Sequence, residues 1–221
     1  MNHKQHLQEL KRFQLERLIL FTDAVFAIAI TLLVLEIKVP ILKGNFPEND
    51  LRDALLKQTP QWIGFLISFG VIGRYWVAHH DMFLYVENKS SKLVFLNFVF
   101  LASVVVMPFT SGAYSLYIQY NSPFFMYCFN VSFTGLMQVL LWREIISPTS
   151  KVSMHPIDMA TKRVYLIRGC VVPLVFICSG LVAISGWPDR LGAYIFSRCF
   201  FLIIFVLQFA LKKYLDRKHK V

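Results

Sequence analysis

The sequence has little charge for its length. Only 16% of its 221 residues are charged, whereas 56% are hydrophobic. A soluble domain of this size needs far more polar side chains to cover its surface. The sequence also lacks a nucleophile elbow, a phosphate-binding loop and paired carboxylates within its apolar segments. These absences exclude a soluble domain and argue against an enzyme.

Cysteine is also scarce. Each of the four cysteines falls inside an apolar segment: Cys128, Cys170, Cys178 and Cys199. In that setting cysteine behaves as a small hydrophobic residue. We therefore expect neither disulfides nor a bound metal.

Long apolar runs fill most of the chain. A run of about 20 apolar residues spans the hydrocarbon layer of a membrane. The sequence contains six, at about 18–39, 61–86, 92–117, 123–142, 162–186 and 189–212. No second copy of the opening motif is visible. We predict an all-α, polytopic membrane protein in which residues 1–221 form one six-helix domain. Residues 1–16 are predicted to be an interfacial lead-in to the first helix, and residues 40–60 the longest outside loop.

The net charge of +10 is distributed unevenly between alternate connections. If the N-terminus is cytoplasmic, fifteen Lys and Arg residues lie in inside segments and five in outside segments. Such a bias predicts that both termini face the cytoplasm. We therefore interpret the excess of Lys and Arg as a signal that sets the orientation in the membrane and that attracts anionic lipid headgroups. No nucleic-acid partner is expected.

The first apolar run carries an acid, Asp23, which is costly in hydrocarbon and needs polar partners. At about 100° per residue, Asp23 lies about 140° from Ile28 on the helix. One face of the helix holds Ile28 together with Arg17, Phe21, Ala24, Thr31, Leu32 and Leu35. Asp23 therefore acts on a different face from Ile28 and Thr31.

The partners of Asp23 are predicted from depth. Antiparallel second and third helices bring Trp76, either His79 or His80, and Asn97 to the level of Asp23. One interpretation is a buried hydrogen-bond cluster that locks the first helix to its neighbours. Alternatives are interfacial side chains that reach toward water and a proton relay. His79 and His80 are adjacent on a helix, which does not suit a zinc site.

The residues Arg17, Phe21, Thr22 and Asp23 resemble the R-x-x-x-F-S-D signature of the transmembrane protein 175 family of potassium channels. The following residues, 25–33, are similar to the rest of that family's first helix. Thr22 replaces the family's usual serine, and both side chains carry a hydroxyl. The polar partners on the next two helices are matched by Trp76, His79 or His80, and Asn97.

The resemblance implies a potassium-selective channel without a TVGYG filter, in the plasma membrane of a prokaryote. It implies a homotetramer in which the first helix of each subunit lines a central pore. Ile28 would form the narrowest ring, followed outward by Thr31, Leu32 and Leu35. A structural network would comprise Arg17, Thr22, Asp23, Trp76, His79, His80 and Asn97. The resemblance implies no cofactor other than the permeant potassium ion, and it implies no small-molecule substrate.

Two other functions are open at this point. A secondary, proton-coupled transporter could use the polar layer of Asp23, His79 and His80, with irregular backbone at Gly64, Gly70, Gly73 and Pro108. The second open function is that of a purely structural membrane scaffold. Arg74, Arg168 and Arg198 lie in or near apolar runs without an assigned role, and they do not form a series on one helix as in a voltage sensor.

Overall fold

The computed structural model describes residues 3–41, 44, 47–150, 152–153 and 157–185. These residues form only α-helices and no strand, as predicted. The helices are, in chain order, α1 (His3–Leu35), α2 (Glu48–Leu56), α3 (Thr59–Phe83), α4 (Ser91–Leu116), α5 (Asn121–Ile145) and α6 (Met159–Ser185).

Four of these helices are long and apolar enough to cross a membrane: α1 from Glu9, α4, α5 and α6. The predicted second run, 61–86, corresponds to α3, which has a comparable length of 25 residues. α3 is not among the four candidate spans, and its polar residues include Arg74 and the pair His79 and His80. The predicted sixth run, 189–212, lies outside the described residues.

The predicted lead-in, residues 1–16, is helical over its described part, because α1 is one continuous helix of 33 residues from His3 to Leu35. The segment is rich in Gln, Leu, Glu, Lys and Arg, which all favour helix, and it contains neither Gly nor Pro. The predicted 40–60 loop contains α2, which starts after an extended Pro47 and carries Glu48 and Asp50 in its first turn, where acids favour a helix start.

Side-chain caps fix the start of two long helices. The Ser90 hydroxyl accepts a hydrogen bond from the backbone N–H of Leu93 at the start of α4. Before α6, the Asp158 carboxylate accepts one from the backbone N–H of Thr161, at 2.9 Å. Hydrogen bonds from Thr161 lower the pKa of Asp158. Asp158 therefore caps the start of α6.

The helices pack in two overlapping groups. α1, α3 and α4 contact one another, and α5 packs most extensively on α4 and α6. Gly135 of α5 lies at a close crossing, because a Cβ atom there would lie 2.8 Å from Pro173 of α6 and 2.9 Å from the Tyr75 hydroxyl of α3. Both α3, with its three glycines, and α4, with Pro108, continue as single helices. The described backbone thus contains no broken helix at the positions that the transporter hypothesis uses.

Candidate pore helix and polar network

α1 has one buried face. Thr22, Phe26, Ala29 and Leu33 are at most 2% exposed, and their spacing of three or four residues places them on one side of the helix. The Phe26 ring lies 5.8 Å from the Phe100 ring of α4 and 6.2 Å from the His79 ring of α3, between centroids. This face fixes α1 against α3 and α4.

The predicted pore residues lie on the other side of α1. Ile28 is 57% exposed, Leu32 36% and Leu35 68%, and Thr31 is also exposed. The Thr31 hydroxyl donates a hydrogen bond to the Ile28 carbonyl oxygen at 2.8 Å. Leu20 and Val34 are exposed too, so exposure in one protomer does not by itself separate a pore-facing side chain from a lipid-facing one.

A buried hydrogen-bond chain joins α1, α4 and α3. The Asn97 amide nitrogen donates to the Thr22 hydroxyl oxygen at 3.0 Å, and the Asn97 amide oxygen lies 2.8 Å from His79 Nε2. The Thr22 hydroxyl donates in turn to the Leu18 carbonyl oxygen. His79 is further enclosed by the rings of Phe83 and Phe100. Asn97 therefore sits at the centre of this chain, with one partner on each neighbouring helix.

Asp23 belongs to a second, more exposed group. The Trp76 indole N–H donates to Asp23 Oδ1 at 2.9 Å. The Trp76 ring lies 5.8 Å from the exposed His80 ring. The Asp23–Trp76 hydrogen bond joins α1 to α3 on a different side of α1 from the Thr22–Asn97 hydrogen bond.

The polar residues thus form two groups where the sequence suggested one cluster. Thr22 and Asp23 are consecutive on α1, so their side chains diverge by about 100°. Thr22 accepts a hydrogen bond from Asn97, whose amide oxygen lies beside His79, and Asp23 accepts one from Trp76. Arg17 is placed apart from both, with its guanidinium 6.0 Å from the Phe13 ring.

Two further polar contacts were not predicted. Ser68 of α3 bonds to Ser111 of α4 at 2.7 Å and to the Tyr127 hydroxyl of α5 at 3.1 Å. At the other end of the bundle, the buried Glu144 carboxylate lies 2.9 Å from Lys92 Nζ and accepts a hydrogen bond from Ser90. The sequence feature that could have indicated the Ser68–Ser111 contact is a serine within each of two apolar helices. The feature that could have indicated the Glu144 contacts is an acidic residue at the end of an apolar run.

No group of three metal-ligating side chains comes together among the residues that the structure describes. His79 is buried and His80 exposed, so the two neighbouring rings point to different surroundings.

The family described as endosomal/lysosomal potassium channel TMEM175 matches residues 17–108. That range contains all the predicted pore and network residues. A protein named as a potassium channel from Chamaesiphon minutus is 32% identical over 175 residues, which cover 76% of this chain and 83% of that protein. The chain belongs to the TMEM175 family.

Other TMEM175 relatives match over shorter ranges. A potassium channel from Streptomyces collinus is 43% identical over 99 residues, and the match spans 47% of that protein's length. The zebrafish endosomal/lysosomal proton channel TMEM175 is 31% identical over 159 residues, or 29% of its length. The chain therefore spans about half of the first of these relatives and less than a third of the second.

Solved TMEM175 structures share the fold. The crystal structure of the lysosomal potassium-selective channel TMEM175 homolog from Chamaesiphon minutus is 28% identical, with a TM-score of 0.65 over 86% of this chain and 98% of that one. A second TMEM175 potassium channel, crystallised with a nanobody fusion, is 18% identical with a TM-score of 0.61 and supports the fold alone. The chain is a multi-pass helical membrane protein of this fold.

Proposed function

We propose that this chain is the subunit of a potassium-selective channel that conducts ions passively. One observation carries the proposal: α1 is anchored on one face by Thr22, Phe26 and Leu33, while the face with Ile28 and Leu35 is exposed. This is the arrangement expected of a helix whose open face meets copies of itself. Membership of a family with relatives named as potassium channels supports potassium as the permeant ion.

The proposed assembly is a homotetramer with α1 of each subunit around a central pore. A pore lined by Ile28 of α1 needs several copies of α1 around one axis, because the Ile28 face of α1 is exposed in the described protomer. We further propose cytoplasmic N- and C-termini and a location in the plasma membrane of a prokaryote. The uneven distribution of Lys and Arg supports the orientation.

The proposed constriction is a ring of Ile28 side chains. Isoleucine cannot replace the hydration shell of an ion, so a narrow ring is a barrier that gates by dewetting and selects by the cost of dehydration. Potassium holds its water less tightly than sodium and crosses such a ring more easily. Thr31, one turn further along α1, presents hydroxyl oxygens to a partly dehydrated ion, and Leu32 and Leu35 extend the apolar lining.

The polar network has a positioning role in this mechanism. Thr22, Asn97 and His79 fix the rotation of α1 about its axis, and Asp23 with Trp76 adds a second fixed point. A rotation of 100°, equivalent to one residue, would replace Ile28 with a different side chain at the pore axis. Asp23 itself does not touch the permeating ion.

The test is ion flux through the full-length protein in potassium-loaded liposomes. The unmodified protein should release potassium down an electrical gradient without a coupled solute. Ile28→Asn should wet the ring and shift the reversal potential in mixed potassium and sodium salts toward sodium permeability. Val34→Asn is the matched control, because Val34 is also exposed on α1 but lies about 120° from Ile28. An unchanged reversal potential for Ile28→Asn, or an equal shift for Val34→Asn, contradicts the assignment of the constriction.

Proton conduction is the second candidate, because the animal relatives are named as proton channels. The same liposomes should therefore carry an internal pH dye. Proton flux that exceeds potassium flux would replace potassium with the proton as the main permeant ion.

A proton-coupled transporter is the remaining alternative. In the part of the chain that the structure describes, Asp23 and His79 belong to separate hydrogen-bond groups and α1, α3 and α4 are unbroken, which weighs against it. Potassium flux that requires an opposing proton gradient would favour the transporter over either channel.

A further inference from the structure

Arg17 takes part in neither of the hydrogen-bond groups around α1. Its side chain is exposed, and its guanidinium lies 6.0 Å from the centre of the Phe13 ring, one turn earlier on α1. The acids nearest to it in sequence have other partners, because Glu16 lies 3.3 Å from Arg12 and Asp23 accepts a hydrogen bond from α3. Within the described part of the chain, Arg17 therefore carries a positive charge without a salt bridge.

The direction of Arg17 around α1 is fixed by buried residues on either side of it. Leu15, two residues before Arg17, is 8% exposed, and Thr22, five residues after it, is fully buried. These two residues lie within about 20° of each other around the helix, so the buried face of α1 keeps its direction past Arg17. Arg17 itself lies about 20° from Ile28 and therefore belongs to the exposed face.

Arg17 is the charged residue of that face. Between Leu10 and Leu35, the other side chains within about 60° of Ile28 are all uncharged: Leu10, Phe13, Gln14, Phe21, Ala24, Val25, Thr31, Leu32 and Leu35. No acid on the face offsets the guanidinium. Arg17 lies eleven residues before Ile28, or about 16 Å along the axis, at the end of α1 predicted to be cytoplasmic.

An arginine at the end of a membrane helix commonly extends toward lipid headgroups. That explanation suits a side chain on a lipid-facing side of the helix. Arg17 shares its face with Ile28, and in the proposed tetramer this face surrounds the conduit. Four guanidinium groups then lie around the inner mouth, in water.

We propose that Arg17 of the four subunits forms a positively charged ring at the inner mouth, which limits the rate at which potassium enters the conduit. This inference rests on the proposed tetramer with α1 at its axis. A ring of positive charge lowers the local concentration of cations. Its effect extends over the Debye length, which is about 30 Å at 0.01 M salt and about 3 Å at 1 M.

The experiment is single-channel recording of the full-length protein in planar bilayers, in potassium chloride at about 0.01 M and about 1 M. Arg17→Gln removes the charge and keeps a polar side chain. Its unitary conductance should exceed that of the unmodified channel by about threefold at the lower salt concentration and should nearly equal it at the higher one. Arg17→Lys keeps the charge and should behave as the unmodified channel. The reversal potential in mixed salts should stay unchanged in both variants.

The matched control is Arg12→Gln. Arg12 is an exposed arginine of the same helix, but it lies about 160° from Ile28. The substitution makes the same change in net charge on the other side of α1, so the conductance should stay unchanged at both salt concentrations.

Gln14 offers a second position on the Ile28 face. It is exposed and lies about 40° from Ile28, nearly one turn before Arg17. Gln14→Glu should raise the conductance at the lower salt concentration, because the added carboxylates attract cations. Gln14→Lys should lower it.

Several outcomes would overturn the ring. They are an unchanged conductance for Arg17→Gln at the lower salt concentration, an equal rise for Arg12→Gln, and a rise that persists at about 1 M, where charge is screened. Should Arg17→Gln fail to fold, the Gln14 variants decide: opposite effects of Gln14→Glu and Gln14→Lys support the charged mouth, and equal conductances overturn it.

Failure of the channel assignment is recognised separately. An unmodified protein that passes no potassium contradicts both the proposed function and the ring. A conducting, potassium-selective channel that does not respond to charge at Arg17 or Gln14 contradicts the ring alone.

Discussion

The two faces of α1 differ in what holds them. The face with Thr22, Phe26 and Leu33 is enclosed by α3 and α4 and includes a side-chain hydrogen bond from Asn97. The face with Ile28 and Leu35 is apolar and open, and its Thr31 hydroxyl donates to the Ile28 carbonyl oxygen of the same helix. The difference teaches that anchoring and conduction can be separated on one helix: substitutions on the first face should change stability, and those on the second should change ion flow.

The largest effect on stability is expected for Asn97→Leu. Leucine fills a similar volume but removes both the acceptor beside His79 Nε2 and the donor to Thr22. A buried polar group left without its partner costs about 1–3 kcal/mol. The unfolding temperature in detergent should fall clearly. Phe95→Leu, at an exposed position of α4, should leave the unfolding temperature nearly unchanged. An equal fall in both variants would contradict the role of Asn97 in holding α1 against α3 and α4.

A smaller loss is expected for Asp23→Ala, because Asp23 is only partly buried. The variant removes the acceptor of the Trp76 indole N–H, worth about 1 kcal/mol. Trp76→Phe should remove the same hydrogen bond, so the double variant should be less destabilised than the sum of the single variants. Thermal unfolding of all four proteins measures this coupling. Channels that survive Asp23→Ala should keep near-normal selectivity, and a stable variant that loses selectivity would show that Asp23 faces the pore.

The smallest effect is expected for Thr31→Val on the open face. Valine has nearly the same shape, so stability should change by less than about 0.5 kcal/mol. The lost hydroxyl should raise the barrier for a partly dehydrated potassium ion, which lowers unitary conductance by about twofold for ~0.5 kcal/mol. Single-channel recording measures the conductance. A marked drop in unfolding temperature would mean that Thr31 is part of the anchoring face.

The position of a polar residue along its helix could be predicted from the sequence. The direction in which its side chain points around the helix axis could not. Counting residues from the predicted helix ends grouped Asp23, Trp76, either His79 or His80, and Asn97, and the structure joins Asp23 to Trp76 and His79 to Asn97. Counting could not decide whether Thr22 or Asp23 meets Asn97, because this depends on how α1 is rotated against α4. The rotation follows from the packing of Phe26 against Phe100 and His79, a long-range contact that no local pattern encodes.

Contacts between distant connections were also beyond sequence reasoning. The backbone N–H groups of Glu87 and Asn88 both donate to the Val152 carbonyl oxygen at 3.0 Å, which joins two connections more than sixty residues apart. Backbone hydrogen bonds of this kind depend on chain path and carry no residue signature. The short helix α2 was missed for a different reason: the segment 40–60 contains Pro40, Pro47 and Pro60, and prolines at such spacing favour a loop.

The unbroken length of α1 has a mechanical consequence. A helix of 33 residues is about 50 Å long, whereas the hydrocarbon layer is about 30 Å thick. Several turns must therefore project beyond the lipid as a lever that is rigidly continuous with Ile28. Torque applied to those turns by a bound antibody fragment or inhibitor would be transmitted along the backbone to the ring, without any contact inside the conduit.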